Sequence, residues 1–273
     1  MRFISVKTRA FLPPKDNIYK LLGDHLPSLA EGDILIITSK IVAIHQGRCV
    51  RLGTQTKREL AMREADMYLP GRNKYSFLTV RDNTIVSSAG IDSSNGRGYY
   101  ILPPKNPNQA ARQIWQFLRK KFKRTKIGVI ITDSHSIPLH HGTLGISIGF
   151  YGFIPLRDFT GGQSVFGAKL KTARSNIVDA LAAAGTLLMG EGGQKTPFVI
   201  ARGVPATFTE KNTYNELVTD PKEDIYRPFL KLFRNPRFDP VRNPLRSRSG
   251  FLTGLTKKPK LSKTSSHEQT GYS

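Results

Sequence analysis

The sequence predicts a globular protein of mixed helices and strands, and three observations carry that reading. Residues 34–37 and 127–131 are short apolar runs rich in β-branched side chains and bounded by polar residues, as suits strands buried on both faces. Residues 108–122 put Ala111, Ile114, Trp115, Leu118 and Phe122 on one helical face and Arg112, Arg119, Lys120, Lys121 and Lys123 on the other. Composition agrees: 273 residues, 38% hydrophobic, with 24 Gly and 17 Pro, suffice for a large core in one or two domains.

In chain order, residues 2–10 alternate loosely and run into Phe11-Leu12-Pro13-Pro14, a stiff approach to a loop. Ile18, Leu21, Leu22 and Leu26 repeat at helical spacing, predicting a helix over 17–29 capped by Asp16. After the Glu31-Gly32-Asp33 turn, the strand 34–37 ends in Thr38-Ser39-Lys40, and 41–50 continues as a short helix or strand. Residues 57–68 are helical in composition, and 77–80 with 84–88 read as a hairpin turned at Asp82-Asn83. Residues 99–102 form a further strand closed by two prolines, and the strand 127–131 leads at once to Asp133 and Ser134. Residues 153–159 and 165–172 read as strand or loop. A second long helix spans 175–189, where Ala180, Ala182, Ala183, Ala184 and Gly185 let backbones approach closely. A glycine-rich loop at 190–194, a strand at 198–201 and an amphipathic helix at 220–233 complete the folded unit, 1–233. The basic segment 234–273 reads as a disordered tail.

The net charge is +22; nine basic residues against two acids put +7 of it in the tail and leave +15 on the folded unit. Such an excess points to anionic partners: nucleic acid, phosphorylated ligands or poly-acidic substrates. From residue 105 to 126 there is no acid, giving a solvated basic face or a phosphate-binding one. The lone Cys49 excludes an internal disulfide framework and fits a reducing setting. The first residues lack the apolar core of a signal peptide, and no apolar run approaches membrane-spanning length. A soluble, cytoplasmic protein is expected.

Three acids stand directly after apolar elements: Asp92, Asp133 and Glu191, each beside glycines or hydroxyls. At the carboxyl ends of neighbouring strands, their loops reach a common site. Converging carboxylates repel unless cations sit between them, and a divalent cation holding a triphosphate takes few protein carboxylates plus phosphate oxygens. The 190–194 loop would offer successive backbone N–H groups to those phosphates. The plain alternatives are that Asp133 and Ser134 cap a turn and that the glycines only close a helix. GxxxxGK[ST] is absent, which excludes a P-loop ATPase. His135, His140 and His141 raise a zinc hydrolase, but adjacent histidines in a strand point to opposite faces.

The motifs AGIDSSN at 89–95, YILPPKNP at 100–107, GVIITDS at 128–134 and LLMGEGG at 187–193 resemble, in this order, the CofE-like gamma-glutamyl ligases of the coenzyme F420 ligase type. The resemblance is closer still to their bacterial relatives, the gamma-glutamate ligases of folate metabolism. It covers residues 1–233, including GDILIITSKIV at 32–42 and EDIYRPFL at 223–230. It implies an α+β fold with mixed sheets and packed helices, in an intertwined homodimer with the nucleotide groove near the interface. It also implies an ATP- or GTP-dependent acid–amino-acid ligase that joins L-glutamate, through its amino group, to a coenzyme carboxylate, with Mg2+ or Mn2+ at two sites and often K+. Carried over position by position, Asp92 and Asp133 look like the catalytic metal ligands, with Ser134 and Glu191 serving a second metal. Leu12, Pro13, Pro14, Lys15, Ser39, Lys40 and Asn95 look like nucleotide contacts, as does the loop Met189, Gly190, Glu191, Gly192, Gly193, Gln194, Lys195, Thr196.

The deazaflavin-type enzymes carry an Arg shortly after the TDT/TDS motif and a basic pair before the next Gly, where this chain has Ile137, His140 and His141. Those two histidines then stand on the substrate side. Other basic positions of the family fall on Ile44, Gly162, Gln163 and Ala168. The acceptor expected first is therefore a folate-type coenzyme, and a deazaflavin coenzyme second. In a different class stands a non-catalytic relative that binds nucleic acid through its basic surface or tail.

Overall fold

The apolar runs form the middle of a five-stranded sheet. In the computed structural model, which describes residues 1–71 and 77–235, the chain opens with β1 (Arg2–Val6), α1 (Ile18–His25), β2 (Ile34–Thr38), α2 (Ser39–His45) and β3 (Cys49–Arg51). It continues through α3 (Lys57–Glu64), β4 (Met67–Tyr68), β5 (Leu78–Arg81), β6 (Thr84–Ser87), β7 (Tyr99–Ile101) and α4 (Pro107–Phe122). Then follow β8 (Gly128–His135), β9 (Leu144–Tyr151), β10 (Leu156–Asp158), β11 (Arg174–Asn176), α5 (Ile177–Met189), β12 (Phe198–Arg202), α6 (Tyr214–Leu217) and α7 (Arg227–Leu230). The sheet order is β1-β12-β2-β8-β9, antiparallel except for the parallel pair β2 and β8.

Successive strand residues point to opposite faces, and both faces are covered. Leu35, Ile37, Val129, Ile131 and Ile200 join a core with α1, α2 and α4. Ile34, Ile36, Ile130, Val199 and Ala201 join another with α5. Continuous apolar runs are the outcome. The small residues of α5 are used as expected: a Cβ on Gly185 would stand 2.8 Å from two carbons of Ile36. A third, smaller core lies beneath α3 and the β4-β5-β6 sheet, built on Leu60, Ala61, Phe77, Ala89, Ile91 and Leu102. Its hairpin turns at Asp82 and Asn83, with φ of 49° and 60° as a two-residue turn of this type requires.

Several boundaries differ from expectation. Asn17, rather than Asp16, caps α1 by accepting from the Tyr19 and Lys20 N–H groups; Asp16 is held by Arg9 at 2.5 Å. That helix ends at His25, because Pro27 biases its predecessor to extended backbone. Residues 41–50 divide into the rest of α2 and β3. α3 opens with a Thr56–Glu59 capping box and stops at Glu64, so the end of the expected helix is β4. β8 runs on past 131 to His135, because β9 pairs with Asp133, Ser134 and His135. The expected helix at 220–233 shrinks to the four residues of α7: Pro228 starts a new helix, and Ile225 and Leu232 stay exposed. Arg234 pairs with Tyr68 through the backbone, so the folded unit reaches at least that far. The tail expected beyond it lies, from residue 236 on, outside the described residues. Among the described residues, no helix is long and apolar enough to cross a membrane.

Because Gly185 lies against Ile36, Gly185→Val should overpack the α5–β2 contact and cost about 1–3 kcal/mol. Urea denaturation with an unchanged m-value is the check.

Candidate active site

The parallel register sets Thr38 opposite Thr132, so the junction of β2 and α2 lies beside the polar end of β8. Ser39 and Lys40 therefore reach the acids. The Ser39 hydroxyl donates to Asp133 Oδ1 at 3.0 Å, and Lys40 Nζ is 2.7 Å from Asp92 Oδ2. Asp92 arrives on a sharp bend through Ala89 and Gly90, both at positive φ, and a Cβ on Gly90 would stand 3.3 Å from Asp133 Oδ2. The Ser94 N–H and hydroxyl also donate to Asp92.

The two carboxyls titrate in opposite directions. Burial raises Asp92, but the Lys40 ammonium and the Ser94 donors outweigh it and hold the group at about 2. Burial pushes Asp133 up to about 6, against the Ser39 hydroxyl, the Ser134 N–H and the charge of Lys40, with Asp92 adding repulsion. Two carboxylates thus share one ammonium, and Asp133 is the one left short of positive charge.

Ser134 points to the other face of β8. Its hydroxyl donates to Glu191 Oε1 at 2.8 Å, and the Thr143 hydroxyl donates to the same oxygen at 3.2 Å. Ser134 and Glu191, with Lys40, Asp92 and Asp133, line a cavity of about 1100 Å³. The rest of its wall is largely apolar: Leu78, Val80, Ile85 and Val86 from the β5–β6 hairpin, Ile148 from β9, and Tyr214, Leu217 and Phe229.

Residues 9–203 match the F420-0:Gamma-glutamyl ligase family. The chain belongs to that family. It is 30% identical over 235 residues to the coenzyme F420:L-glutamate ligase of Methanopyrus kandleri, covering 78% of this chain and 92% of the relative. The enzyme of the same name from Methanosarcina mazei is 32% identical over 240 residues, covering 79% and 94%. That from Methanococcus maripaludis is 38% identical over 144 residues, covering 52% and 57%. This gamma-glutamyl ligase family member is thus an amide-bond-forming enzyme. The named relatives are F420 ligases rather than the folate ligases expected first.

Within the ligase, Asp92, Asp133, Ser134 and Glu191 all reach the cavity wall. Yet among the described residues no three acidic, histidine or cysteine side chains cluster closely enough to hold one metal ion. Alternation along β8 is the reason, since it sends Asp133 toward Ser39 and Ser134 toward Glu191. The expectation that Asp133 and Ser134 lie side by side past a strand end is corrected accordingly.

Of the expected nucleotide contacts, Lys40 and Glu191 line the cavity. The segment before Leu12–Lys15 is joined to the loop after α5 by the Thr8 N–H on Lys195 O at 2.8 Å. Of Leu12, Pro13, Pro14, Lys15, Asn95 and the 189–196 loop, Glu191 alone lines the cavity, and Asn95 is exposed. Ser39 is buried with its hydroxyl committed to Asp133, and the Gly192 N–H donates to Gln194 Oε1 at 2.8 Å. His140 and His141 sit on the exposed 136–143 loop, off the cavity wall and not in a strand. His135, which the sequence raised only as a zinc ligand, does line it, as do Asn176 and Asp179, which the sequence did not single out as site residues. Asp179 takes the Ser147 N–H at 2.8 Å. The one signal for His135 was the alternation of β8 continuing past its apolar run.

The donor set suits a hard cation. Carboxylate and hydroxyl oxygens are the ligands that Mg2+ and Mn2+ take, and an under-neutralised buried Asp133 beside Asp92 is where a divalent charge would be stabilised. So few protein oxygens leave most of the coordination to phosphate and water.

Asp133 holds its proton more tightly folded than unfolded, so its contribution favours the folded state below about pH 4 and is lost as pH rises through about 6. In metal- and nucleotide-free protein, Asp133→Asn should therefore raise stability near neutral pH by up to about 3 kcal/mol. That gain should vanish below about pH 4, as read by denaturation at the two pH values.

Proposed function

We propose that this enzyme joins L-glutamate, through its amino group, to a carboxylate of a coenzyme F420-type acceptor, using a nucleoside triphosphate. The acceptor class follows the printed names of its relatives. The observation that carries the chemistry is the buried, charge-deficient Asp133 meeting Ser39 and the Lys40–Asp92 pair at the cavity wall.

A carboxylate resists attack by an amine, so it must first become an acyl phosphate. One carboxylate oxygen of the acceptor attacks the terminal phosphorus, and nucleoside diphosphate leaves. The glutamate amine, having lost its proton, then attacks the acyl carbon, and phosphate departs with the bonding electrons. Lys40 brings positive charge to the phosphoryl oxygens, where stabilisation matters most. Ser39 fixes the orientation of Asp133, while Ser134 and Thr143 fix that of Glu191. Mg2+ or Mn2+ held by Asp92 and Asp133, with Ser134 and Glu191 serving a second ion, would neutralise phosphate charge. The apolar wall from the β5–β6 hairpin and the 214–230 segment takes the acceptor ring and keeps water from the acyl phosphate. GTP or ATP docks against the 12–15 and 189–196 loops.

A folate-type acceptor is the second reading, favoured by Ile137, an apolar residue in the cavity wall where the deazaflavin-type enzymes carry Arg. Incubation with Mg2+, GTP or ATP, glutamate and either F420-0 or tetrahydrofolate separates the two by a mass gain of one glutamyl unit. Asp133→Asn should lower turnover by at least about 100-fold while circular dichroism stays unchanged. Product from neither acceptor in the wild-type enzyme rejects both.

We also propose a homodimer. Val165 and Phe166, on the segment between β10 and β11, are 95% and 97% exposed, and Leu187 on α5 is 82% exposed. Apolar side chains left this open are suited to a second copy. Val165→Ser with Phe166→Ser should shift the elution volume toward monomer in size-exclusion chromatography; an unchanged oligomer rejects this assignment.

A further inference from the structure

A further concave surface among the described residues lies at the other end of the sheet from Asp92 and Asp133. It is a groove of about 680 Å³ along the outer face of α4, walled by Arg112, Arg119, Lys120, Lys123 and Arg124, with Glu210 on its rim. Trp115 fixes its position, donating from the indole to Ile127 O at 2.9 Å beside the start of β8. Asp133 lies five residues further along that strand from Gly128, about 17 Å away.

The groove is a patterned surface. Arg112, Gln116, Arg119 and Lys123 follow the helical repeat of four, three and four residues, one stripe about 16 Å long. The opposite stripe, with Ala111, Ile114, Trp115 and Leu118, is buried in the core. Some of the cations have internal work: Arg119 bridges to Glu210 at 2.8 Å and stacks on Trp115, and Arg124 donates to Leu29 O. Cations in the last turn also complement the helix dipole. Arg112, Lys120 and Lys123 are exposed and have no ion-pair partner among the described residues. No acid occurs between residues 105 and 126 to neutralise them.

We propose that this groove binds the phosphate backbone of double-stranded nucleic acid. Several cations along one concave surface, three of them without an ion-pair partner among the described residues, complement a row of anions, and releasing condensed counterions drives the contact. Its aromatic rings are turned inward: Trp115 and Tyr151 are buried and covered by the Arg119 and Arg112 guanidinium groups. With no exposed ring to stack on bases, a single strand gains nothing there. Contact is to backbone phosphates, so it is independent of base sequence. The distance from Asp133 separates this surface from anions that take part in ligation.

The test uses the full chain, because the tail is basic as well. Fluorescence anisotropy with labelled duplexes of about 20 base pairs, titrated with salt, measures affinity and its salt slope. Duplex DNA and duplex RNA form separate arms and identify which duplex is preferred. Wild-type protein should bind with a steep slope. The surface variant R112Q/K120Q/K123Q should flatten that slope by about 2.7, from three lost phosphate contacts, while glutamate ligation proceeds at the wild-type rate. The same affinity and slope in the variant would overturn the proposal, since binding would then lie elsewhere. So would single-stranded oligonucleotide binding as tightly as duplex, or polyglutamate binding to the groove with no duplex binding at all.

Discussion

The site depends on the one parallel pairing in the sheet. Setting β2 against β8 in register makes both strands end at the same edge, so the first residues of α2 meet the last residues of β8. An antiparallel pairing would have sent Ser39 and Lys40 to the far side of the molecule. The remaining contributors arrive around that edge: Asp92 on the bend after β6, Glu191 on the turn after α5. Each is tied by a hydrogen bond or ion pair to a group from β2, α2 or β8, as at Ser39–Asp133, Lys40–Asp92 and Ser134–Glu191.

That arrangement works against the stability of the fold. A carboxyl raised to about 6 by burial, beside another held at about 2, marks a place where the chain keeps charge that its own groups do not balance. Two other carboxylates are met by cations of the chain itself. Asp33 is fully buried, yet it receives two guanidinium N–H groups from Arg202 and the Ala30 N–H. Glu64 is met by both Arg48 and Arg81. The contrast between these satisfied carboxylates and Asp133 supports the proposal that this site takes up a cationic ligand.

Much of this was legible in the sequence. The central strands, α4, α5 and the 82–83 turn follow from periodicity and turn chemistry, because those segments are buried on a regular face or demand positive φ. Four ordered motifs pointed to the family and to the acids. Less legible was the continuation of β8 through Asp133 to His135, since its partner β9 lies some ten residues downstream and polar residues hide the strand. The second wall of the cavity escaped too. It comes from β5–β6 and from the irregular 214–230 segment, whose conformation is set by two prolines and by packing rather than by any repeat. The role of Asn17 as cap was hidden because Asp16 is drawn away by Arg9, a contact between residues seven apart.

The contact of Gly185 with Ile36 also fixes a length. Glu191 lies six positions beyond that glycine, just past the end of α5 at Met189. Because the glycine is seated where no side chain fits, the helix cannot slide or swivel at that point. Inserting or deleting one residue between the two would swing the carboxylate about 100° around the axis, away from Ser134. The packing of α5 on β2 therefore fixes the interval between the two positions.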